Sequence, residues 1–296
     1  MYDIIILGSG PAGLTAGLYA ARGGKKTIIL GGDTLGGQMT TIHALENYPG
    51  WTGTGTALAE FMKTQAESFG AELVMETAAA VSKDGSGFRV QSSSNKEYVG
   101  KAVIVATGAK PRRLDAPGVR EFTGRGVSYC ATCDGFFYSG QTVVVIGGGN
   151  SALNDALYLA DIAKDVKILY RRAAFARCED ILVSRVREKD NIEVLWETEL
   201  ASVGGDDSGV NHIITNRGGR IDCSGVFITI GHEANTDYLD ESVARGEMGR
   251  LGPDALPSGM FVAGDVRAGL KMQIATAVGT GCEVAMDAIA FVNALG

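Results

Sequence analysis

Hydrophobic positions along the chain fall into short unbroken runs separated by alanine- and glycine-rich stretches. Residues 4–7 read as a strand, 10–22 as a helix rich in alanine and leucine, and 27–30 as a second apolar strand. Neither strand alternates, so both are expected to be buried on two faces, as in a parallel sheet. The same β-α-β pattern returns with a strand at 142–146, a glycine turn at 147–149, a helix at 151–162 and a strand at 165–170. Between the two, 78–93 alternates around Asp84-Gly85-Ser86-Gly87 and predicts a hairpin, followed by a buried strand at 102–106. Strands are also expected at 209–216 and 225–230, with turns at Gly204-Gly205 and Gly218-Gly219. A last strand at 260–263 leads through Gly264-Asp265 to a helix over about 273–293. The pattern predicts an α/β chain in which a second domain, 114–241, is inserted into a first made of 1–113 and 242–296.

Composition adds a warning and several exclusions. Of 296 residues, 42 are glycine, about twice ordinary usage. No Gly-X-Y period accompanies them, which excludes collagen, and 45% hydrophobic content with six prolines argues against a disordered chain. In such a chain a three-glycine motif arises by chance about 0.8 times, so a glycine fingerprint counts only through its context. Lys and Arg number 27 against 34 Asp and Glu, a net charge of −7. With no long basic run, the footprint of a nucleic-acid binder is missing. The early apolar run is too short for a signal peptide or a membrane span, and none approaches eighteen apolar residues. The expected setting is cytoplasmic, away from membrane and nucleic acid, where disulfides do not persist as structural staples.

Gly8-Ser9-Gly10-Pro11-Ala12-Gly13 ends a predicted strand and opens a predicted helix, the context that a dinucleotide fingerprint requires. Gly8 permits the tight turn, Gly10 lets backbone approach a pyrophosphate, and Gly13 allows close helix–strand packing. The helix N-terminus offers free N–H groups to the phosphates. The second strand runs into Leu30-Gly31-Gly32 without the acid that would take a ribose hydroxyl, and Asp33 is out of register. Gly147-Gly148-Gly149-Asn150-Ser151-Ala152 repeats the fingerprint as GxGxxA. Here the second strand is followed by Arg171-Arg172, with Arg177 further on. An acid would suit the free 2′-hydroxyl of NAD, whereas guanidinium forks pair with the 2′-phosphate of NADP. Taken alone, the arginines would also suit a solvated helix start. Both cassettes are read as Rossmann-like dinucleotide-binding domains, the second for NADPH.

Cys130-Ala131-Thr132-Cys133-Asp134 is the rarer signal. Five cysteines give a CxxC by chance only roughly 0.07 times. A structural zinc needs four ligands. Cys178, Cys223 and Cys282 are scattered, and His43, His212 and His232 show no ligand spacing, so no metal is expected. Two inert buried cysteines are the plain alternative to a reversible dithiol/disulfide. A redox thiol must ionise more readily than its free pKa of about 8.5 allows. Asp134 could exchange a proton with a thiol or a leaving thiolate, or could simply occupy a turn before Gly135.

Two nucleotide cassettes and a redox CxxC make a relay from nicotinamide to flavin to disulfide. With these parts the chain resembles the low-molecular-weight (bacterial-type) thioredoxin reductases, the class II branch of the pyridine nucleotide–disulfide oxidoreductases, over nearly its whole length. The resemblance rests on Leu7-Gly8-Ser9-Gly10-Pro11-Ala12-Gly13, Gly36-Gly37-Gln38, Glu46-Asn47-Tyr48-Pro49-Gly50 and Ala106-Thr107-Gly108. It continues through Cys130-Ala131-Thr132-Cys133-Asp134-Gly135, the second fingerprint, Gly231-His232, Phe261-Val262-Ala263-Gly264-Asp265-Val266 and Gly279-Thr280-Gly281-Cys282.

The resemblance implies FAD held at Gly8, Ser9, Gly10, Pro11, Ala12 and Gly13. Gly31, Gly32, Gly36, Gly37, Gln38, Asn47, Ala106, Thr107 and Gly108 would line the site, and Gly264, Asp265, Gln273, Ile274 and Ala275 would close over it. NADPH is implied at Gly148, Gly149, Asn150, Ser151, Arg171, Arg172 and Arg177. By position, Cys133 would face the flavin, Cys130 would attack the disulfide of thioredoxin, and Asp134 would act as general acid–base. A homodimer whose inserted domain rotates between two states is also implied. The family's His-Arg-Arg-x-x-x-Arg reads Tyr170-Arg171-Arg172-Ala173-Ala174-Phe175-Ala176 here, with Arg177 one place late. That departure motivates an alternative: the same flavin–dithiol relay with NADH, ferredoxin or a deazaflavin as donor, or another small redox protein as acceptor.

Overall fold

The computed structural model describes residues 1–42, 45–176 and 178–295, so the candidate Arg177, like His43, lies outside the described residues. From the N-terminus the chain forms β1 (Tyr2–Leu7), α1 (Pro11–Arg22), β2 (Thr27–Leu30), α2 (Gly55–Ser68) and β3 (Glu72–Val74). A meander of β4 (Ala78–Asp84), β5 (Gly87–Ser92) and β6 (Glu97–Val105) precedes β7 (Ala109–Pro111). Then come β8 (Val127–Ser128), β9 (Thr142–Ile146), α3 (Asn150–Ala160), β10 (Asp165–Tyr170), α4 (Asp180–Arg187) and β11 (Ile192–Trp196). Four more strands follow: β12 (Leu200–Asp206), β13 (Gly209–Thr215), β14 (Arg220–Asp222) and β15 (Gly225–Ile228). The chain closes with β16 (His232–Ala234), β17 (Met260–Val262) and α5 (Ile274–Ala294).

Met1–Lys110 with Glu233–Gly296 makes one compact unit, and Pro111–His232 makes the other. Residues 233–241, expected in the inserted domain, therefore belong to the first unit, and 111–113 open the second. The reason is packing: Val81 N–H donates to Tyr238 O, and Leu239 joins the core beneath β4 and β5. β7 and β16 pair as a two-stranded ribbon where the chain passes between units.

The first unit is built on a sheet of order β3-β2-β1-β6-β5-β4, with β17 beside β6. β1, β2, β3, β6 and β17 run parallel, while β4, β5 and β6 pair antiparallel. Ile4, Ile6 and Ile104 join the core with α1 and α5, and Ile5, Leu7, Val103 and Val105 join the core on the other face. Burial on both faces explains why these strands read as unbroken apolar runs. Close helix packing depends on bare backbone. A Cβ at Gly17 would lie 2.4 Å from Ile29 Cδ1, and one at Gly281 would lie 2.3 Å from Ala12 O. By length and composition α5 could cross a membrane, with mean hydropathy 1.4. In this fold its Ala277, Val284, Ala285, Ala288 and Val292 are buried in the core with α1.

The second unit holds a parallel sheet of order β11-β10-β9-β15-β8 and an antiparallel sheet of β12-β13-β14. Strand order reverses between β9 and β15, and open parallel sheets bind ligands outside the carboxyl ends at such a point. The turn expected at Gly204-Gly205 is not there. Both residues lie inside β12 at an irregularity in its pairing with β13, and the chain reverses between Asp206 and Gly209. The bare backbone at Gly204 instead accommodates a ring, since a Cβ there would fall 2.2 Å from His212 Cε1.

Candidate active site

α1 starts with Gly10 as its N-cap, in extended backbone and with no side-chain cap, so its first N–H groups are left open. The glycines of this turn have distinct roles. Gly8 has φ +106°, and a Cβ there would meet Ala106 O at 2.4 Å. A Cβ at Gly13 would lie 1.9 Å from Gly8 O, so turn and helix meet only through bare backbone. At Gly10 the nearest protein atom to a Cβ is Gly36 O, 4.0 Å away. Its bareness leaves open space over the turn, which is what an approaching pyrophosphate needs.

The rest of the first candidate set gathers in the same unit through bonds between distant segments. Ser9 Oγ donates to Gly31 O (2.7 Å), and Gly36 N–H donates to Ser9 O (2.9 Å). Gln38 Nε2 donates to Ala109 O (2.8 Å), and Thr107 Oγ1 donates to Asn235 O (2.7 Å). Asn47 Nδ2 reaches Gln273 Oε1 at 3.3 Å. Gly264 N–H donates to Thr280 Oγ1 (3.0 Å), a contact that sequence reasoning missed. Gln273 is the N-cap of α5 and has no side-chain cap itself, so Ile274 and Ala275 open a second helix with free N–H groups. Burial holds the Asp265 carboxyl above its ordinary value, with Arg250 opposing. Asp33 accepts from Thr77 Oγ1 (2.9 Å).

The second fingerprint divides its roles the same way. Gly147, at φ +146°, would place a Cβ 2.1 Å from Thr229 O, whereas a Cβ at Gly149 meets nothing within 4 Å. Gly149 is the extended, side-chain-free N-cap of α3. Two residues of this turn are engaged within the protein itself. Gly148 is buried, and a Cβ there would fall 2.2 Å from the Tyr170 ring, so its bareness makes room for the ring. The Asn150 side chain is engaged at both ends: Nδ2 donates to Glu179 Oε1 (2.8 Å) and Oδ1 accepts the Glu179 N–H (2.9 Å). Arg171 and Arg172 are exposed just after β10, and among the described residues neither has an ion-pair partner. Beside them Tyr170, Phe175 and Trp196 pack with ring centroids 4.7 to 6.2 Å apart.

Asp155 on α3 was not legible in the sequence. Its carboxylate accepts from Thr229 Oγ1 (2.7 Å) at the end of β15, and burial pushes it up to about 6. The unfolded value is about 3.9. The native state therefore holds the extra proton between these values, and stability falls as pH rises through that window. Asp155→Asn keeps an acceptor for Thr229 and removes the charge. Thermal melts should show a gain of roughly 2 kcal/mol at pH 8 and far less at pH 4.5. Equal gains at both pH values would refute this account.

Cys130 and Cys133 are joined in a disulfide, with Cα atoms 5.3 Å apart. A one-turn helix, Ala131–Asp134, brings them together with Cys130 as its N-cap. The Cys133 N–H donates to Cys130 Sγ at 3.2 Å, and Cys130 N–H donates to Ser128 Oγ at 3.0 Å. A donor aimed at that sulfur stabilises a thiolate there once the pair is reduced. Cys130 is half-buried and Cys133 exposed. Half-buried Asp134 acts on Tyr138, whose hydroxyl is raised first by burial and then by that carboxylate. Gly135 anchors the motif, since a Cβ there would lie 2.9 Å from Leu159 Cδ2 on α3. Phe136 and Phe137 follow at 74% and 73% exposure, two large apolar side chains in water beside the disulfide. Sequence reasoning passed over them, although consecutive aromatics after Cys-Asp-Gly were the available signal. Cys223 is buried, with its thiol pushed up to about 12. Among the described residues no group of three or more His, Cys, Asp or Glu could hold a metal ion.

A family model described as pyridine nucleotide-disulphide oxidoreductase matches residues 2–281. The chain belongs to this family. Among its members, the thioredoxin reductase of Escherichia coli O157:H7 is 40% identical over 312 residues, covering 99% of this chain and 96% of that one. Among solved structures, the Lactococcus lactis thioredoxin reductase is 34% identical with a TM-score of 0.95, covering 99% of this chain and all of its own. The T. acidophilum thioredoxin reductase is 31% identical with a TM-score of 0.91, covering 100% of this chain and 99% of that one. Membership in this oxidoreductase family implies flavin and pyridine nucleotide use. Two bare-backbone turns over open helix N-termini fit that pair of dinucleotides.

Proposed function

We propose that the protein is a thioredoxin reductase that carries electrons from NADPH, through FAD, to the Cys130–Cys133 pair and on to the disulfide of thioredoxin. The observation that carries this reading is a disulfide in the unit that also holds the second open fingerprint and two exposed arginines. FAD would be held by 8–13, 31–38, Asn47, 106–108, Gly264, Asp265 and 273–275, and NADPH by the Gly149–Ser151 backbone with Arg171 and Arg172. Bound flavin supplies a two-electron carrier between nicotinamide and disulfide.

In the reduced pair, the Cys130 thiolate attacks one sulfur of the thioredoxin disulfide, breaking that S–S bond and forming a mixed disulfide. The Cys133 thiolate then attacks Cys130 Sγ, which restores the pair and frees the second thioredoxin sulfur. Asp134 takes the proton lost when a thiol ionises and returns it to a departing thiolate. Thioredoxin gains two electrons and two protons, and Cys130–Cys133 is oxidised. Such a relay suits a reducing compartment, and we place it in the cytoplasm.

Phe136 and Phe137 offer the acceptor an apolar contact beside the disulfide. Truncating both, Phe136→Ala with Phe137→Ala, should raise KM for thioredoxin about tenfold. Anaerobic reduction by NADPH should keep its wild-type rate; an unchanged KM for thioredoxin would remove these rings from the docking surface. A groove of about 210 Å³ beside Leu14, Leu18, Tyr48, Trp51 and Phe61 suits a second copy of the chain. Trp51 Nε1 is buried there without an acceptor among the described residues. The function itself is tested on the flavin-loaded protein without oxygen. NADPH should bleach it faster than NADH, thioredoxin should restore its colour, and sedimentation should report a dimer. Bleaching that strongly favours NADH would overturn the donor assignment, and failure of thioredoxin to restore colour would overturn the acceptor.

A further inference from the structure

The segment after β10 returns to the second glycine turn at Cys178 and Glu179. Cys178 Sγ donates to Gly148 O at 3.3 Å. That oxygen and the Gly149 N–H belong to one trans peptide group, so they point in opposite directions. A thiol holding the oxygen fixes the plane of that peptide and with it the direction of the N–H, and the space beside the Gly149 Cα is open, since a Cβ there would meet no atom within 4 Å. Glu179 secures the next residue. Its backbone N–H and its carboxylate occupy both ends of the Asn150 side chain, and Asn150 is the first residue of α3. A side-chain amide at this place could swing onto a phosphate, but here it is held. What the turn presents to a ligand is backbone N–H.

We propose that Cys178 and Glu179 are positioning residues that clasp turn 148–150 and aim its N–H groups at the pyrophosphate of the nicotinamide donor. The proposal rests on reading the second cassette as the donor's site. Neither residue touches the ligand. The clasp acts on the pyrophosphate end, whereas Arg171 and Arg172 serve the 2′-phosphate, and this difference makes the idea testable with two probes. NADP⁺ engages both ends, while adenosine 2′-phosphate carries only the arginine-facing group.

Calorimetric titration of the flavin-loaded protein with each probe reads the two ends separately. Glu179→Ala should raise Kd for NADP⁺ about five- to tenfold and leave Kd for adenosine 2′-phosphate unchanged. Glu179→Gln should bind NADP⁺ within about twofold of wild type, because its amide oxygen still accepts from Asn150 and the backbone bond is intact. Cys178→Ala should raise Kd for NADP⁺ about threefold, in keeping with a weaker S–H donor. The clasp is overturned if Glu179→Ala binds NADP⁺ as wild type does, if it loses both probes equally, or if Glu179→Gln is as weak as the alanine variant. Wild-type protein that binds neither probe would instead overturn the donor-site reading, and the clasp with it.

Discussion

Cys130→Ser is expected to lower thioredoxin reduction at least about a thousandfold while anaerobic bleaching of the flavin by NADPH persists. A serine hydroxyl neither ionises near neutral pH nor closes a disulfide, so the outgoing half of the relay is lost. The two cysteines should fail differently. Cys130 Sγ is the sulfur that receives a backbone N–H, from Cys133, and this favours it as the attacking thiolate. Cys133→Ser should therefore still attack thioredoxin and stop at a mixed disulfide through Cys130, visible by mass spectrometry. Cys130→Ser should trap none. Cys133 is the more exposed residue of the pair, so exposure alone would assign the roles the other way. Trapping through Cys133 rather than Cys130 would show that access, not stabilisation of the thiolate, chooses the nucleophile.

The second large effect separates two glycines of one fingerprint. Gly13→Ala places a methyl 1.9 Å from Gly8 O, a backbone atom with no freedom to move aside. Either α1 shifts off β1 or the turn opens. We expect colourless protein and an apoprotein Tm lower by about 5 °C or more. Gly10→Ala should behave otherwise, because its methyl meets no protein atom within ordinary contact distance. The apoprotein should melt as wild type does, while flavin affinity falls because the methyl fills space the pyrophosphate needs. Flavin content and apoprotein Tm measured on both variants check the pair. A Gly10→Ala protein that retains its flavin would move the phosphate elsewhere on α1.

Local chemistry was legible because it is written in adjacent residues. The β-α-β cassettes follow from unbroken apolar runs around glycine turns, and the disulfide follows from a CxxC whose two cysteines one helical turn brings together. Glycine pairs were less readable, since bare backbone answers several needs. Gly204 makes room for the His212 ring and Gly148 for the Tyr170 ring, whereas Gly10 and Gly149 face open space. In sequence all four look alike. The return to the first unit was placed late because nothing local marks Tyr238 and Leu239 as partners of β4 and β5.

By itself, then, the sequence determined the cassettes, the redox pair and the likeness to a flavin–dithiol relay, all of them carried by residues that are neighbours along the chain. Only the tertiary structure decided which glycines are empty toward a ligand. It also brought Asn47 to Gln273 and set Cys178 and Glu179 against the second turn. It set Asp155 beneath Thr229, where burial rather than any nearby charge raises its carboxyl. These contacts join side chains far apart in sequence, and their strength depends on burial and direction. Neither quantity exists until the chain has folded.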